Sequence, residues 1–501
     1  MNLCVCWSGV CLRCRRRGRR AFAASSKKRI LGTDMQAPKP LTESHSNVHN
    51  SRAAHWSLQR SQVRWLLILG DLLLVNVAAV GALWLGIQRS TWWLAVGAWD
   101  SFTAWFLFLS IIWFVCAQVF DMYDLRVAGA PRRAVRATLG VVLGTLAVYL
   151  VAYFFAAPQT LPRHLIMFFA ILAAILLSAW RACFALALGR GPLARRVIVV
   201  GGGASTNDLV RALHEHAAGY YNISAVFDTD ARVAEGMTRA ALDEVIVSAE
   251  QDLSPEWIAA LVAWREQGVQ IANMAAVYEE LTGRVPVEHV GKNWSVLLPL
   301  EQDATRGLNG VVKRALDFGL SLLALLIAAP FLPFLALLIW FDARGGILLR
   351  QTRVGKNGRM FTLYKFRTMI PNAEPPGVAL WAEEEDPRVT RLGKFLRRFK
   401  LDEVPQFWNV LRGEMSLVGP RPERPEIVEN LQRAIPFYRL RHVVRPGLTG
   451  WAAVRFPYGR SVNDALAKLQ FDLYYIKHQS LSLDALILVK TLGAIVTPPR
   501  A

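Results

Sequence analysis

Two adjacent carboxylates stand in the run Leu401-Asp402-Glu403-Val404-Pro405-Gln406, and cations crowd the chain on either side of them. Upstream, Lys365-Phe366-Arg367 offers two cations on one side of a short strand or turn, separated by an aromatic residue. Asp386-Pro387-Arg388 leads into a helix with Arg391, Lys394, Arg397 and Arg398, whose three- and four-residue spacing turns a cationic face toward anionic headgroups or a lipid phosphate. Downstream come Pro420-Arg421-Pro422, Arg424, Arg441, His442 and Arg445. A lone Asp-Glu pair ahead of Pro405 would be read as the cap of a helix through residues 407–411. Among so many arginines the pair suits phosphoryl chemistry instead. Arginines neutralise phosphate oxygens, one carboxylate holds Mg2+, and another attacks phosphorus.

Such chemistry needs a platform, and the composition points to a membrane. Of 501 residues 53% are hydrophobic and only 19% charged, yet 58 Lys and Arg face 38 Asp and Glu, a formal charge of +20. That pairing disfavours a chain disordered throughout and argues against an ordinary soluble enzyme. Residues 1–62 carry 12 Lys/Arg and 2 Asp/Glu, half of the excess. They abut an apolar segment rather than interleaving with aromatics on a folded surface, so no nucleic-acid partner is expected. This first stretch reads as a disordered basic tail. Its crowded Cys4, Cys6, Cys11 and Cys14 lack the second half of a zinc ribbon, it does not read as a cleaved secretory signal, and the hypothesis it suggests is a native start further downstream, for instance at Met35.

Residues 65–87, 104–120, 137–156 and 164–188 are apolar enough to form four transmembrane helices within 63–190. The basic tail and Arg126, Arg132, Arg133 and Arg136, against only Arg89 and Arg163 in the other loops, put the amino terminus and everything after Arg190 in the cytoplasm. Asp71 and Arg181 fall within spans, where a pair inside the bundle for Asp71 and snorkelling for Arg181 outweigh a substrate role. Residues 191–300 then alternate strands (196–201, 223–228, 244–249, 269–274) with helices, one beginning near 207, as a small parallel α/β unit. Gly201-Gly202-Gly203 supplies part of a dinucleotide fingerprint and Asp228 could meet a ribose, but Thr206 replaces the third glycine. The second and third strands are also too close in sequence for a full dinucleotide fold, which favours a structural or regulatory module. A fifth apolar segment, 315–340, contains Pro330 and Pro333. With Arg344 and Arg350 following, it is expected to enter the membrane, break at the prolines and return.

Residues 313–496 resemble the bacterial polyprenyl-phosphate sugar-1-phosphate transferases, the monotopic phosphoglycosyl transferases. The matching stretches are KRALDF, RQTRVGKNGRMFTLYKFRTM, DPRVTRLGKFLRR, LDEVPQFWNVLRGEMSLVGPRPERP, RHVVRPGLTGWA and FDLYYIKHQSLSLD. GRVPVEHV and VRFPYG are similar to the branch found with exosortase loci, and the four spans plus an α/β module to the larger members that begin exopolysaccharide assembly. Glu414 stands where Asp is usual and Ala453 where Gln is common.

The resemblance implies a fold of four-span helical bundle, small parallel α/β module and a mainly α, membrane-associated catalytic domain over 310–500 with a re-entrant helix at 315–340. It implies that Asp402 attacks the sugar-bearing phosphate of a UDP-sugar, releases UMP and passes the phosphosugar to undecaprenyl phosphate. Glu403, with Asp402, would bind Mg2+. Lys365, Arg367, Arg421 and Arg445 would clamp phosphate, and Arg441 and His442 would do so or form stabilising pairs. Gln406, Pro420, Pro422, Gly447, Thr449 and Gly450 would wall the pocket, the last three in a tight turn from Pro446. Glucose is the first expected sugar and galactose the second. The expected setting is the bacterial inner membrane, with the catalytic domain cytoplasmic, lipids around it, downstream glycosyltransferases as partners and the oligomeric state open. Two rival readings are weaker. A membrane nucleotide-sugar dehydratase needs Tyr-x-x-x-Lys, and no Tyr here has Lys four residues later. A non-catalytic scaffold would not need the intact Asp402-Glu403 pair.

Overall fold

The computed structural model describes residues 60–87, 98–155, 163–190, 194–217, 219–228, 242–248, 253–289, 308–343, 346–371, 373, 386–456 and 461–496. The expectations for the basic tail, its cysteines and Met35 lie outside the described residues.

Apolar sequence runs fold into α1 (Arg60–Ile87), α2 (Ala98–Val119), the short α3 (Leu125–Ala128), α4 (Pro131–Phe155) and α5 (Arg163–Arg190). Three of these contain stretches long and apolar enough to cross a membrane, Ser61–Leu85, Pro131–Phe155 and Leu165–Ala187. The apolar part of α2, Thr103–Val119, is shorter than the ~20 residues a span requires. Leu69, Leu73, Trp84, Leu143, Phe154 and Ile175 point outward, a disposition suited to lipid rather than water. Arg181 departs from expectation. Instead of snorkelling it is 1% exposed and turned inward, donating from Nε to Asp71 Oδ1 (3.1 Å), from Nη2 to Asp71 Oδ2 and from Nη1 to the Met122 carbonyl (3.1 Å). A carboxylate between apolar helices costs more alone than paired, and Arg181 meets that need across α1, α5 and the turn after α2.

The middle module is a parallel sheet in the order β2-β1-β3-β4, built from β1 (Arg195–Val200), β2 (Tyr221–Phe227), β3 (Glu244–Val247) and β4 (Gln270–Asn273). Its helices are α6 (Ala204–His216), α7 (Pro255–Glu266) and α8 (Met274–Thr282). Helix α6 starts three residues earlier than expected because Gly203, at φ 85°, turns the chain directly into it. Thr206 Oγ1 donates to the Gly202 carbonyl (3.3 Å), and a Cβ on Gly202 would lie 2.8 Å from Asp228 Oδ1.

The carboxy-terminal domain opens with a bent pair, α9 (Leu308–Ala328) and α10 (Leu332–Ala343), turned by 68° at the break that holds Pro330. Pro330 can donate no backbone hydrogen bond and Pro333 falls in the first turn of α10, where none is needed. Three charged residues tie α9 to the polar part of the domain. Lys313 Nζ donates to Asp484 (2.7 Å) and the Val418 carbonyl (3.3 Å), Arg314 to the carbonyls of Val410 (2.7 Å) and Leu411 (2.8 Å), and Asp317 accepts from Leu417 N (3.1 Å). The antiparallel hairpin β5 (Leu348–Val354) and β6 (Met360–Phe366) follows, then α11 (Arg391–Arg398), a 3-10 turn at Leu401–Glu403, and α12 (Gln406–Leu411). β7 (Ser416–Val418) pairs in parallel with β8 (Gly447–Thr449). Helices α13 (Pro425–Ala434), α14 (Trp451–Arg455), α15 (Val462–Lys477) and α16 (Leu481–Val496) complete the domain.

The GRVPVEHV stretch after α8 packs into this domain. Trp451 Nε1 donates to the Gly283 carbonyl (2.9 Å), Val285 N donates to the Gln470 carbonyl (3.1 Å), and Val285 and Val287 share a core with Val428, Leu431 and Leu469. At its other end, α16 meets α2: Lys490 donates to the Gln118 carbonyl (3.1 Å) and to Asp121.

Candidate active site

Lys400 adopts a left-handed backbone (φ 58°), an uncommon conformation for a residue with a Cβ, and the 3-10 turn it starts carries Asp402 and Glu403 inward to 7% exposure each. They sit one turn ahead of α12 and do not cap it. The N-cap is Pro405, which has no side-chain cap bond. The capping alternative is therefore excluded, and two buried carboxylates side by side need another account.

Strand β6 brings Lys365 to the dyad, its Nζ 3.4 Å from Glu403 Oε1. The loop after β7 brings Arg421, whose Nη2 donates to the same oxygen at 2.6 Å. The two carboxylates consequently diverge. Burial alone would raise Glu403, but Arg421, Lys365 and Lys400 outweigh it and hold the group well below the usual glutamate range. Burial raises Asp402, Lys365 only partly offsetting it, while the neighbouring Glu403 charge adds to the rise. Burial lowers Lys365 against the pull of Glu403. Glu403 is thus an ionised anchor for two cations. Asp402 is a more basic carboxylate, and among the described residues no hydrogen bond is made to it. A basic, unencumbered carboxylate beside fixed cations is what nucleophilic attack on a phosphate ester requires.

The other expected site residues divide. Pro420, Arg421, Pro422 and His442 line one cleft with Val354, Gly355, Arg441, Val444 and Pro446. Arg441 is not free to clamp phosphate. Buried, it donates to Asp472 Oδ2 (2.8 Å), Tyr438 Oη (2.6 Å) and the Arg421 carbonyl (3.0 Å), so it holds the backbone from which Arg421 reaches Glu403. Asp472, which sequence reading did not single out, is pushed up to about 6 by burial despite Arg441. Arg445 is exposed and Arg367 half-buried, and among the described residues neither bonds the dyad; the buried Nε of Arg367 has no partner there. Gln406 is 2% exposed, also with an unpartnered Nε2 among the described residues. The expected tight turn from Pro446 is instead strand β8. Gly447 and Gly450 are required because a Cβ on either would strike Gly419, at 2.1 Å from its N and 2.3 Å from its carbonyl oxygen respectively. Thr449 bonds Thr491 (2.8 Å). These three residues support the Pro420–Arg421 loop from behind rather than lining the cleft.

Burial lowers His442 to about 4, with the Arg441 charge adding to the effect. The unfolded chain takes up this proton near the ordinary 6.5 and the folded chain only near 4, so stability should fall as the pH drops through that window. Melting temperatures of the full-length protein across the window check this. His442→Gln should flatten the decline, and an unchanged slope would refute the assignment.

A divalent cation has two candidate ligands here, the Asp402 carboxylate and the Glu403 oxygen not taken by Lys365 and Arg421. Among the described residues no group of three His, Cys, Asp or Glu could hold a metal alone. Two carboxylates fit Mg2+ of the kind completed by water and substrate phosphate oxygens.

Residues 308–498 match the bacterial sugar transferase family, and residues 118–248 match a CoA-binding domain. The chain is 41% identical over 249 residues to the UDP-N-acetylgalactosamine-undecaprenyl-phosphate N-acetylgalactosaminephosphotransferase of Aeromonas hydrophila, covering 50% of this chain and 57% of that protein. It is 35% identical over 316 residues to the undecaprenyl-phosphate glucose phosphotransferase of Komagataeibacter xylinus, covering 60% and 59%. With the exopolysaccharide production protein PSS of Rhizobium leguminosarum bv. phaseoli it shares 42% identity over 193 residues, covering 37% of this chain and 96% of that one. The chain thus spans somewhat more than half the length of the first two relatives and nearly all of the shorter third.

Proposed function

Since this chain belongs to the bacterial sugar transferase family, we propose that it moves a sugar-1-phosphate from a UDP-sugar to undecaprenyl phosphate as an opening step of exopolysaccharide synthesis. The observation that carries this reading is the pairing of a basic Asp402, which accepts no hydrogen bond among the described residues, with a Glu403 that holds Lys365 and Arg421 in place. An Asp402 oxygen attacks the sugar-bearing phosphorus, the bond from that phosphorus to the bridging oxygen breaks, and UMP leaves with the electron pair. An oxygen of undecaprenyl phosphate then attacks the same phosphorus, freeing the carboxylate and forming lipid-diphosphate sugar. Neither step needs a net proton. Lys365 and Arg421 offset charge on the phosphate oxygens as they shift between bonds. Mg2+, held by Asp402, Glu403 and the substrate, would supply further charge neutralisation on the pyrophosphate.

We further propose that α9 and α10 form a re-entrant hairpin rather than a bent span. Support comes from both of its ends: Lys313, Arg314 and Asp317 bond to the polar part of the domain, and Ile339 near the end of α10 packs with Phe366 and Leu396 of that same part. A through-span would separate those ends by ~30 Å of hydrocarbon. The active site would then lie at the cytoplasmic headgroup layer of the inner membrane, where a long lipid keeps its phosphate, with α2 as a fourth span and with glycosyltransferases extending the product. Glucose leads as donor and galactose follows; the name of the Aeromonas relative adds N-acetylgalactosamine. The test is to give membranes bearing the protein Mg2+, undecaprenyl phosphate and each UDP-sugar in turn. UMP and lipid-diphosphate sugar are expected together with at least one donor. Silence with every donor would defeat the reading.

A further inference from the structure

The three groups at the dyad arrive on separate segments: Lys365 on β6, the carboxylates ahead of α12, and Arg421 after β7. One residue joins the elements that carry all three. Asn409, on α12, is 0% exposed. Its Oδ1 accepts from Tyr364 N (3.2 Å), and its Nδ2 donates to the Thr362 carbonyl (2.7 Å) and to Glu414 Oε2 (2.7 Å). In the antiparallel register, Thr362 and Tyr364 stand opposite Thr352 and Arg350, and their bonded groups belong to the edge of β6 away from β5. The carboxamide stands in for the peptide of a missing third strand, occupying backbone groups that a two-stranded hairpin leaves unpaired. The backbone of Asn409 completes the junction, because its carbonyl accepts from Glu414 N (3.1 Å) and Met415 N (3.3 Å), folding the chain back into β7 and onward to Arg421.

We infer that Asn409 is the positioning residue that sets where Lys365 stands relative to Glu403. Glu414 holds the second amide hydrogen and so fixes the carboxamide's orientation, which gives that residue a role beyond its charge. Lys365 directly follows Tyr364 on the bonded strand, and its 3.4 Å approach to Glu403 depends on β6 being held against α12. Loss of the carboxamide lets the strand edge take water and lets Lys365 drift from the dyad. Misplacing a charge by about an ångström at a reacting centre costs on the order of 100-fold in rate.

The rate consequence rests on the proposed function, but the geometric consequence does not, and the test separates them. The full-length protein and its Asn409→Ala variant are exposed to an amine-acylating reagent, and labelling of Lys365 and Lys477 is followed by peptide mass spectrometry. Lys477, paired with Glu279 at 3.0 Å on α15, reports general loosening. The expected result is Lys365 labelled about tenfold faster in the variant with Lys477 unchanged, because local opening of the strand edge gives the reagent access to the amine. In parallel, kcat for UMP release should fall roughly 30-fold while KM for the donor changes little. Asn409→Asp, which keeps the volume and one acceptor but loses the donor, should give the same selective labelling should the alanine variant not accumulate. Lys365 labelled at the parental rate, or Lys365 and Lys477 accelerated together, would overturn the inference. If the unsubstituted protein released no UMP, the proposed function would fall while the labelling still decided this point.

Discussion

Asp402→Asn should abolish both UMP release and formation of lipid-linked sugar, a loss on the order of 10,000-fold or more. An amide has no oxygen nucleophilic enough to displace UMP. The structure makes this substitution unusually clean. Among the described residues no hydrogen bond is made to the Asp402 carboxylate, so replacing it breaks no such bond, and the attraction of Lys365 that is given up is smaller than the cost of burying the charge. It also removes a buried negative charge beside Glu403, one of the causes that raise Asp402. The melting temperature should therefore hold or rise while activity vanishes. Chromatographic assay of UMP beside a thermal melt reads both. Inactivation accompanied by a lower melting temperature would assign Asp402 to the scaffold rather than to the reaction.

Glu403→Gln should be costly in both respects. The glutamate oxygen that accepts from Lys365 and Arg421 becomes an amide oxygen without charge, leaving two cations competing for one weak acceptor. Breaking a buried pair by removing one partner costs about 3–5 kcal/mol, and the half-exposed Arg421 side chain brings the expectation down to about 2 kcal/mol. Because cations hold the folded Glu403 below its unfolded value, its contribution is present above the ordinary glutamate range and lost as the pH falls below it. The Glu403→Gln protein should therefore differ from the parent in melting temperature near neutrality and converge with it under strongly acidic conditions. Its transfer rate at neutral pH should fall on the order of 100-fold, as both clamps lose their anchor. A rate and melting curve like the parent's would show that Lys365 and Arg421 are held by something else.

Much of this site is legible in the chain, because its chemistry is local. Asp402 and Glu403 are neighbours, the cations lie in short runs, and the apolar segments announce themselves by length. Partnership over distance is not legible. Arg441 looks like one more phosphate clamp until its bonds to Asp472, 31 residues away, and to the Arg421 carbonyl are seen. Arg181 has the stem to snorkel, and only the bundle shows Asp71, 110 residues away, waiting for it. Pro446 to Gly450 has turn composition, yet its glycines answer to the Gly419 backbone in β-pairing, a demand set by another segment. Asn409 on a six-residue helix reads as an ordinary polar residue. Its importance comes from the unpaired edge of a hairpin more than forty residues upstream. The α/β module shows the same limit, since its strands are plain in the hydrophobic runs but the packing of GRVPVEHV against Trp451 and Gln470 is not.

The central claim is that the sugar phosphate rests covalently on Asp402 between donor and lipid. The direct measurement is mass spectrometry of the protein after incubation with Mg2+ and an active UDP-sugar in the absence of undecaprenyl phosphate. One phosphosugar should be found on the peptide containing Asp402, with UMP released in an amount equal to the enzyme. The adduct should disappear when the lipid phosphate is added. No adduct, and no UMP until the lipid is supplied, would mean direct displacement by the lipid and would contradict the account.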